Sequence, residues 1–111
     1  MTALRYWLGQ HGQVFGARER AAVIRREICR VVSETPATDE VVLDFDGVRA
    51  SGFSFADEVV AKLSLDLPGQ RIVVANANEQ ILYPVAQMLR RRVLSATIEN
   101  ADGTRVEFAR D

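Results

Sequence analysis

Two short apolar runs constrain the fold of this chain more than any other feature. Residues 41–45 are apolar except for Asp44, and residues 71–75 are apolar after the first position. Short runs rich in valine are typical of strands inside a sheet, and the first run predicts a central strand covered on both faces. A segment with helical periodicity separates the two runs, which predicts a β-α-β unit with the helix packed on the sheet.

Three segments carry apolar residues at the three- and four-residue spacing of amphipathic helices. The first covers residues 17–34 and the second residues 55–67. The third is interrupted by Pro84, which lacks an N–H and is tolerated best in the first turn of a helix. We therefore expect its regular part to run from about residue 84 to residue 92.

The remaining segments predict strands at both ends of the chain. Residues 4–8 alternate in polarity and suggest a first strand, and residues 14–16 suggest a short return strand. Residues 94–98 and 105–108 flank a polar loop and predict a C-terminal β-hairpin. The order β-α-β-α-β-α-β-β predicts an α/β fold, with about three helices packed on a mixed sheet of four to six strands.

Length, charge and cysteine content narrow the class of protein. The 111 residues fit a single domain, and a net charge of −1 argues against a broad nucleic-acid-binding surface. Cys29 is the only cysteine, so no intrachain disulfide can form and a reducing compartment is expected. No signal peptide or membrane span is evident, which points to the cytoplasm. The arginines at positions 90–92 are interpreted as a solvated helix end, because cations there complement the helix dipole.

Residues 41–48 also resemble the first motif of the haloacid-dehalogenase-like phosphatases. There an Asp such as Asp44 attacks phosphorus, and a second Asp, here Asp46, acts as acid and base beside a magnesium ion. The other motifs of that family are missing, since the next strand ends in Asn76 rather than Ser or Thr, and Lys62 precedes that strand. We therefore keep this phosphohydrolase as an alternative and expect no enzyme activity, catalytic residue, metal or cofactor.

Residues 42–63, VLDFDGVRASGFSFADEVVAKL, closely resemble the signature of the STAS-like domains of unknown function. These domains are small bacterial relatives of the anti-sigma-factor antagonists. Residues 18–21 and 76–78 look similar too, so the resemblance covers about residues 15–92. It implies a STAS-like fold and a non-catalytic regulatory role in switching between protein partners. The implied partner is a histidine-kinase-like ATPase.

The resemblance also implies where the partner binds. In the antagonists a serine at the start of the helix after the motif strand is phosphorylated, which releases the partner, and Ser54 occupies that place. We therefore expect partner binding through the loop and helix around residues 50–60, with Phe53, Ser54, Asp57 and Glu58 as contacts. The antagonists carry a different sequence around this serine, with an acidic residue and a glycine that this chain lacks.

Ser54 has a second interpretation that depends on local chemistry alone. Ser54-x-x-Asp57 is the pattern of a capping box, which predicts that Ser54 is the N-cap of the helix. Asp57 and Glu58 would then favour the positive end of the helix dipole, and they would repel a phosphate. A cap alone, a cap within a partner surface, and a phosphoacceptor all stay open.

Polar residues are expected to meet where the parallel strands end. Asp44 needs partners within an apolar strand, most simply a backbone N–H or an arginine. Because ligands of α/β sheets bind beyond the carboxyl ends of the strands, the alternative interpretation is a small polar pocket there. Its residues would be Asp44, Asp46, Ser51, Asn76 and Asn78. A third function hypothesis is a self-associating module, in which an edge strand at the N-terminus or in the C-terminal hairpin pairs two copies.

Overall fold

The strands form one large sheet and one small one. The structure is a computed structural model that describes residues 2–108, and in that range it has seven strands. They are β1 (Thr2–Trp7), β2 (Val14–Phe15), β3 (Thr38–Asp44), β4 (Ala50–Ser51), β5 (Arg71–Ala75), β6 (Ala96–Glu99) and β7 (Arg105–Phe108). The large sheet has the order β1-β3-β5-β6-β7, with β7 antiparallel to β6 and the other neighbours parallel. The mixed sheet and the C-terminal hairpin are thus confirmed.

Within residues 2–108, three long helices and one short 3-10 helix, Leu8–His11, connect the strands. Helix α1 spans Arg18–Ser33 and α3 spans Glu79–Arg91. Between them, α2 is continuous over residues 53–66, but its middle part, Asp57–Lys62, is π-helical. None of the helices in residues 2–108 is long and apolar enough to cross a membrane.

In the part of the chain that the structure describes, the three long helices pack on one face of the large sheet. Val41 and Leu43 of β3 belong to the main core together with residues of all three helices. Val42 of β3 points the other way and forms a separate small cluster with Val73 and Ala75 of β5. The central strand is thus buried on both faces, as expected, but within residues 2–108 helices cover only one of them, and we call the helix-free side the open face.

Long charged side chains cover the apolar residues of the open face. Arg105 of β7 bonds to Glu40 of β3, and Arg5 of β1 lies 3.9 Å from Glu99 of β6. These pairs span strands that are not neighbours, so their side chains cross the strands between them. The aliphatic parts of such side chains shield apolar surface while the charged groups stay in water, which explains how Val42 is buried without a helix above it.

Two local predictions were wrong. Strand β2 does not return along β1 but pairs in parallel with β4, so that Phe15 lies opposite Ser51. Helix α3 begins at Glu79, not near Pro84, because the side-chain oxygen of Asn78 accepts a hydrogen bond from the Ile81 amide and caps the helix. Pro84 then removes only the donor to the Gln80 carbonyl, and Gln80 is exposed to water.

Candidate functional site at the start of α2

Gly52, not Ser54, caps the start of α2. Gly52 has an extended backbone, and its carbonyl accepts the first helical hydrogen bond from the Ala56 amide at 3.1 Å. The helix therefore begins at Phe53, and Ser54 is a half-buried residue of its first turn. The predicted capping box is wrong, because the local pattern fits a helix start two residues later than the actual one.

Two exposed aromatic side chains meet beside Ser54. Phe53 in the first turn of α2 is 47% exposed, and Tyr83 in the second turn of α3 is 62% exposed. Their ring centroids are 6.0 Å apart with an interplanar angle of 76°, an edge-to-face contact. Phe55, by contrast, is buried and stacks on Phe15. Tyr83 is not among the residues predicted from the sequence, because it lies just before the predicted start of this helix near residue 84, whereas the helix begins at Glu79.

Asp57 lies one turn further along α2 and points into the protein. It is 6% exposed, and its carboxylate accepts hydrogen bonds from Arg92 at 2.6 and 2.9 Å and from Arg18 at 3.1 Å. These bonds, led by those from Arg92, hold the pKa of Asp57 below its ordinary value although burial opposes the shift. Arg92 is thus more than the solvated helix end that the sequence suggests.

Glu58 is buried even more deeply, at 2% exposure. Its carboxylate accepts hydrogen bonds from Lys62 at 2.8 Å, Arg18 at 2.9 Å and Arg25 at 3.0 Å. Burial alone would raise the pKa of Glu58, but these three cations outweigh it and lower the pKa. Asp57 and Glu58 therefore present little carboxylate surface to a partner in this conformation.

The π-helical segment explains how two adjacent carboxylates share one cation. In a π-helix the hydrogen bonds join residues i and i+5, and each turn contains more residues than a turn of an α-helix. Consecutive side chains are therefore separated by a smaller angle around the helix axis. Asp57 and Glu58 open this segment, and Nη1 of Arg18 lies within hydrogen-bond distance of both. We call Asp57, Glu58 and the four cations around them the buried ion-pair network; the cations are Arg18, Arg25, Lys62 and Arg92.

Asp44 has partners on three sides at the end of β3. Its Oδ1 accepts hydrogen bonds from the Asn76 side chain at 2.8 Å and from the Asp46 amide at 3.0 Å. Its Oδ2 accepts one from Arg5 at 3.0 Å. Burial opposes these bonds, yet together they lower the pKa of Asp44. Both oxygens are thus engaged within the chain, whereas a phosphohydrolase would need this carboxylate to attack phosphorus.

The other expected pocket residues diverge from Asp44. Asn78 caps α3, and its Nδ2 donates to the Arg49 carbonyl at 3.0 Å. Ser51 is buried in β4, and its hydroxyl has no hydrogen-bond partner among residues 2–108. Asp46 is exposed, and its carbonyl accepts a hydrogen bond from the Trp7 indole at 2.8 Å. Only Asp44 and Asn76 of the five are in direct contact through their side chains. Within residues 2–108 no cluster of three or more potential metal ligands from His, Cys, Asp and Glu is present.

Comparison with known proteins agrees with the architecture. The sheet with helices on one face and the helix after the motif strand define a small α/β domain. A family profile described as a STAS-like domain of unknown function matches residues 20–82, more than half of the 111-residue chain. The chain therefore belongs to the STAS-like domains of unknown function, which confirms the resemblance seen in the sequence. The searches of curated proteins and of solved structures gave no match.

Proposed function

We propose that this chain is a non-catalytic regulatory domain that binds a protein partner through the start of α2. The binding surface comprises Phe53, Ser54 and Tyr83, which we call the aromatic surface. Its main support is that two aromatic side chains on different helices stay exposed while touching each other. Aromatic residues fixed in this way are enriched among the side chains that dominate the binding energy of protein interfaces.

The proposed partner is a histidine-kinase-like ATPase of the bacterial cytoplasm. The support is the likeness of residues 42–63 to the relatives of anti-sigma-factor antagonists, together with the family match. In this proposal Asp57 and Glu58 do not contact the partner directly. They hold α2 against α1 and the end of α3, and so fix the position of Phe53.

Ser54 is the candidate site of control by phosphorylation. The γ-phosphoryl group of ATP would pass to the Ser54 hydroxyl, which loses its proton, and ADP would leave. The phosphate adds a charge of nearly −2. The sequence alone suggests repulsion from Asp57 and Glu58, but four cations surround these carboxylates and offset their charge. The added charge would disrupt a contact that needs desolvation, which releases the partner.

If a kinase-like ATPase is encoded beside this gene, calorimetric titration against the purified ATPase tests the proposal. We expect Phe53→Ala, Tyr83→Ala and Ser54→Asp each to weaken binding at least about tenfold, equivalent to roughly 1.4 kcal/mol. Val23→Ala is the matched control, because Val23 is 58% exposed on α1 and lies outside the aromatic surface. Parental affinity in all three variants would refute the proposed surface. Transfer of labelled phosphate from ATP, lost in Ser54→Ala, would support Ser54 as the acceptor.

A further inference from the structure

Strand β7 is the outer strand of the large sheet, and within residues 2–108 no strand pairs with its free edge. The hairpin fixes which backbone groups that edge presents. Asn100 donates to the Thr104 carbonyl at 2.8 Å, and hydrogen-bonded pairs alternate with non-bonded pairs along antiparallel strands. Val106 therefore bonds to β6, whereas the amide and carbonyl groups of Arg105 and Glu107 point away from it.

The side chains along this edge are self-complementary. Arg105 and Glu107 point to the open face, and Val106 points to the opposite side, where it is 52% exposed. If two copies of β7 pair in antiparallel fashion about a two-fold axis through Val106, Arg105 of each copy lies opposite Glu107 of the other. The two Val106 side chains then meet as a non-hydrogen-bonded pair, the closer type of cross-strand pair.

We propose that two copies of this chain associate in this way and join their sheets edge to edge. Charged residues usually protect edge strands from pairing. Here a positive side chain, Arg105, and a negative one, Glu107, follow each other on the same face of β7. The charges therefore favour one pairing register and disfavour the registers that are shifted by one residue. Moving the axis to Arg105 or to Glu107 places like charges opposite each other, which is unfavourable.

Arg105 bonds inward over the sheet to Glu40 and Glu99 of its own chain, so pairing with Glu107 of the other copy requires its guanidinium to turn outward. One further feature of the edges agrees with this choice. The other outer strand, β1, contains Arg5 but no acidic residue, so two copies of β1 gain no such charge pair. The contact uses no residue of the aromatic surface and is therefore independent of the proposed function.

Sedimentation velocity of the purified chain over a range of concentrations tests the dimer. We expect a monomer–dimer equilibrium in the parent, and a dimer weakened at least about tenfold in Glu107→Arg, because both cross-strand pairs become repulsive. Glu107→Gln is the matched control, which removes the attraction without adding repulsion and should fall between them. A parent that stays monomeric at every concentration would overturn the proposal, as would a Glu107→Arg variant that dimerises like the parent.

A mixing experiment identifies the register. Arg105→Glu alone places like charges in both pairs, as Glu107→Arg does, but a mixture of the two variants restores two attractive pairs. We therefore expect a mixed dimer that neither variant forms alone, and its absence would overturn the register. Thermal melting checks that Arg105→Glu folds without its bonds to Glu40 and Glu99. If it does not fold, slower amide exchange of Arg105 and Glu107 at high concentration of the parent decides the matter, because pairing protects those two amides.

Discussion

The guanidinium of Arg92, just beyond α3, donates to both carboxylate oxygens of Asp57 in α2, at 2.6 and 2.9 Å. Arg18 at the start of α1 bonds to the same carboxylate. The three helices on the covered face of the sheet are thus joined through one buried acidic residue, one turn from the aromatic surface. A change in this contact should affect the stability of the whole helical layer.

We expect Arg92→Gln to lower the free energy of unfolding by about 2 kcal/mol. Loss of Arg92 leaves the buried carboxylate of Asp57 incompletely paired. The expected cost lies between the typical values for exposed and for buried ion pairs, because Arg92 is partly exposed. Urea unfolding measures the change. Arg91→Gln is the control, since Arg91 is an exposed neighbour and its loss should cost no more than about 0.5 kcal/mol. Equal values for the two variants would contradict the structural role of Arg92.

Local sequence patterns were sufficient to predict the layout of the chain but not the surroundings of the acidic residues. Valine-rich runs and helical spacing depend on nearest neighbours, so β3, β5 and α1 were predicted close to their actual positions. The partners of Asp57 are 35 and 39 residues away, and no local pattern identifies them. The same limit explains why the capping box at Ser54 was predicted wrongly. The sequence pattern of a capping box is present, but in the fold Asp57 bonds to distant arginines instead.

The one-sided sheet was equally beyond local reasoning. A valine-rich parallel strand predicts cover on both faces, since that is the usual environment of such strands. Here the second cover consists of arginine and glutamate side chains that reach across the sheet, such as Arg105 and Glu40. These residues are 65 positions apart, and each alone looks like an ordinary exposed charge. Only the strand order shows that they meet above Val73 and its neighbours.

Stability should depend on pH through the buried ion-pair network. The pKa values of Asp57 and Glu58 are lowered by folding, so their contribution is complete above the ordinary carboxyl pKa and is lost as the pH falls through the lowered values. We expect the free energy of unfolding to change little near neutral pH and to fall steadily below about pH 4.5. Urea unfolding between neutral and strongly acidic pH measures this profile.

The double variant Asp57→Asn with Glu58→Gln tests whether the loss of stability in acid arises from the buried ion-pair network. It should be less stable at neutral pH, and its stability should fall less steeply in acid, because two groups no longer take up protons on unfolding. Some slope will persist, since Glu40 and Asp44 also have lowered pKa values. An acid slope identical to that of the parent would show that the network does not contribute.

Val93 occupies a backbone conformation that suits glycine. It follows α3 with φ of 57°, and the Leu94 amide bonds back to the Leu89 carbonyl at 2.8 Å, a helix ending that usually has glycine at this position. A left-handed backbone conformation costs a β-branched residue about 1–2 kcal/mol. Glycine avoids this strain, but its greater conformational freedom in the unfolded chain lowers the stability of the folded protein by about 0.5–1 kcal/mol. We therefore expect Val93→Gly to stabilise the protein by up to about 1 kcal/mol.

Thermal melting distinguishes this gain from a general effect of glycine. Val93 is 55% exposed, so little packing is lost with its side chain. Val23 is similarly exposed but lies within α1, where glycine is unfavourable, so Val23→Gly should lower the melting temperature. A lower melting temperature for Val93→Gly as well would show that the strain at Val93 is smaller than the entropy that glycine loses on folding.

Gly9 leaves room for the contact between Trp7 and the loop after β3. A Cβ on Gly9 would lie 2.5 Å from the Asp46 carbonyl oxygen and would also overlap the Trp7 indole, which donates to that oxygen at 2.8 Å. A backbone oxygen cannot turn aside as a side chain can, so Gly9→Ala must displace the loop or break the bond, at a cost of roughly 2 kcal/mol. Trp7 is the only tryptophan, so we expect its fluorescence to shift to longer wavelength together with the lower stability.

Gly69→Ala is the control, because a Cβ there meets no atom within 4 Å. If Gly9→Ala melts and fluoresces like Gly69→Ala, then the close approach of Trp7 and Asp46 does not fix this loop.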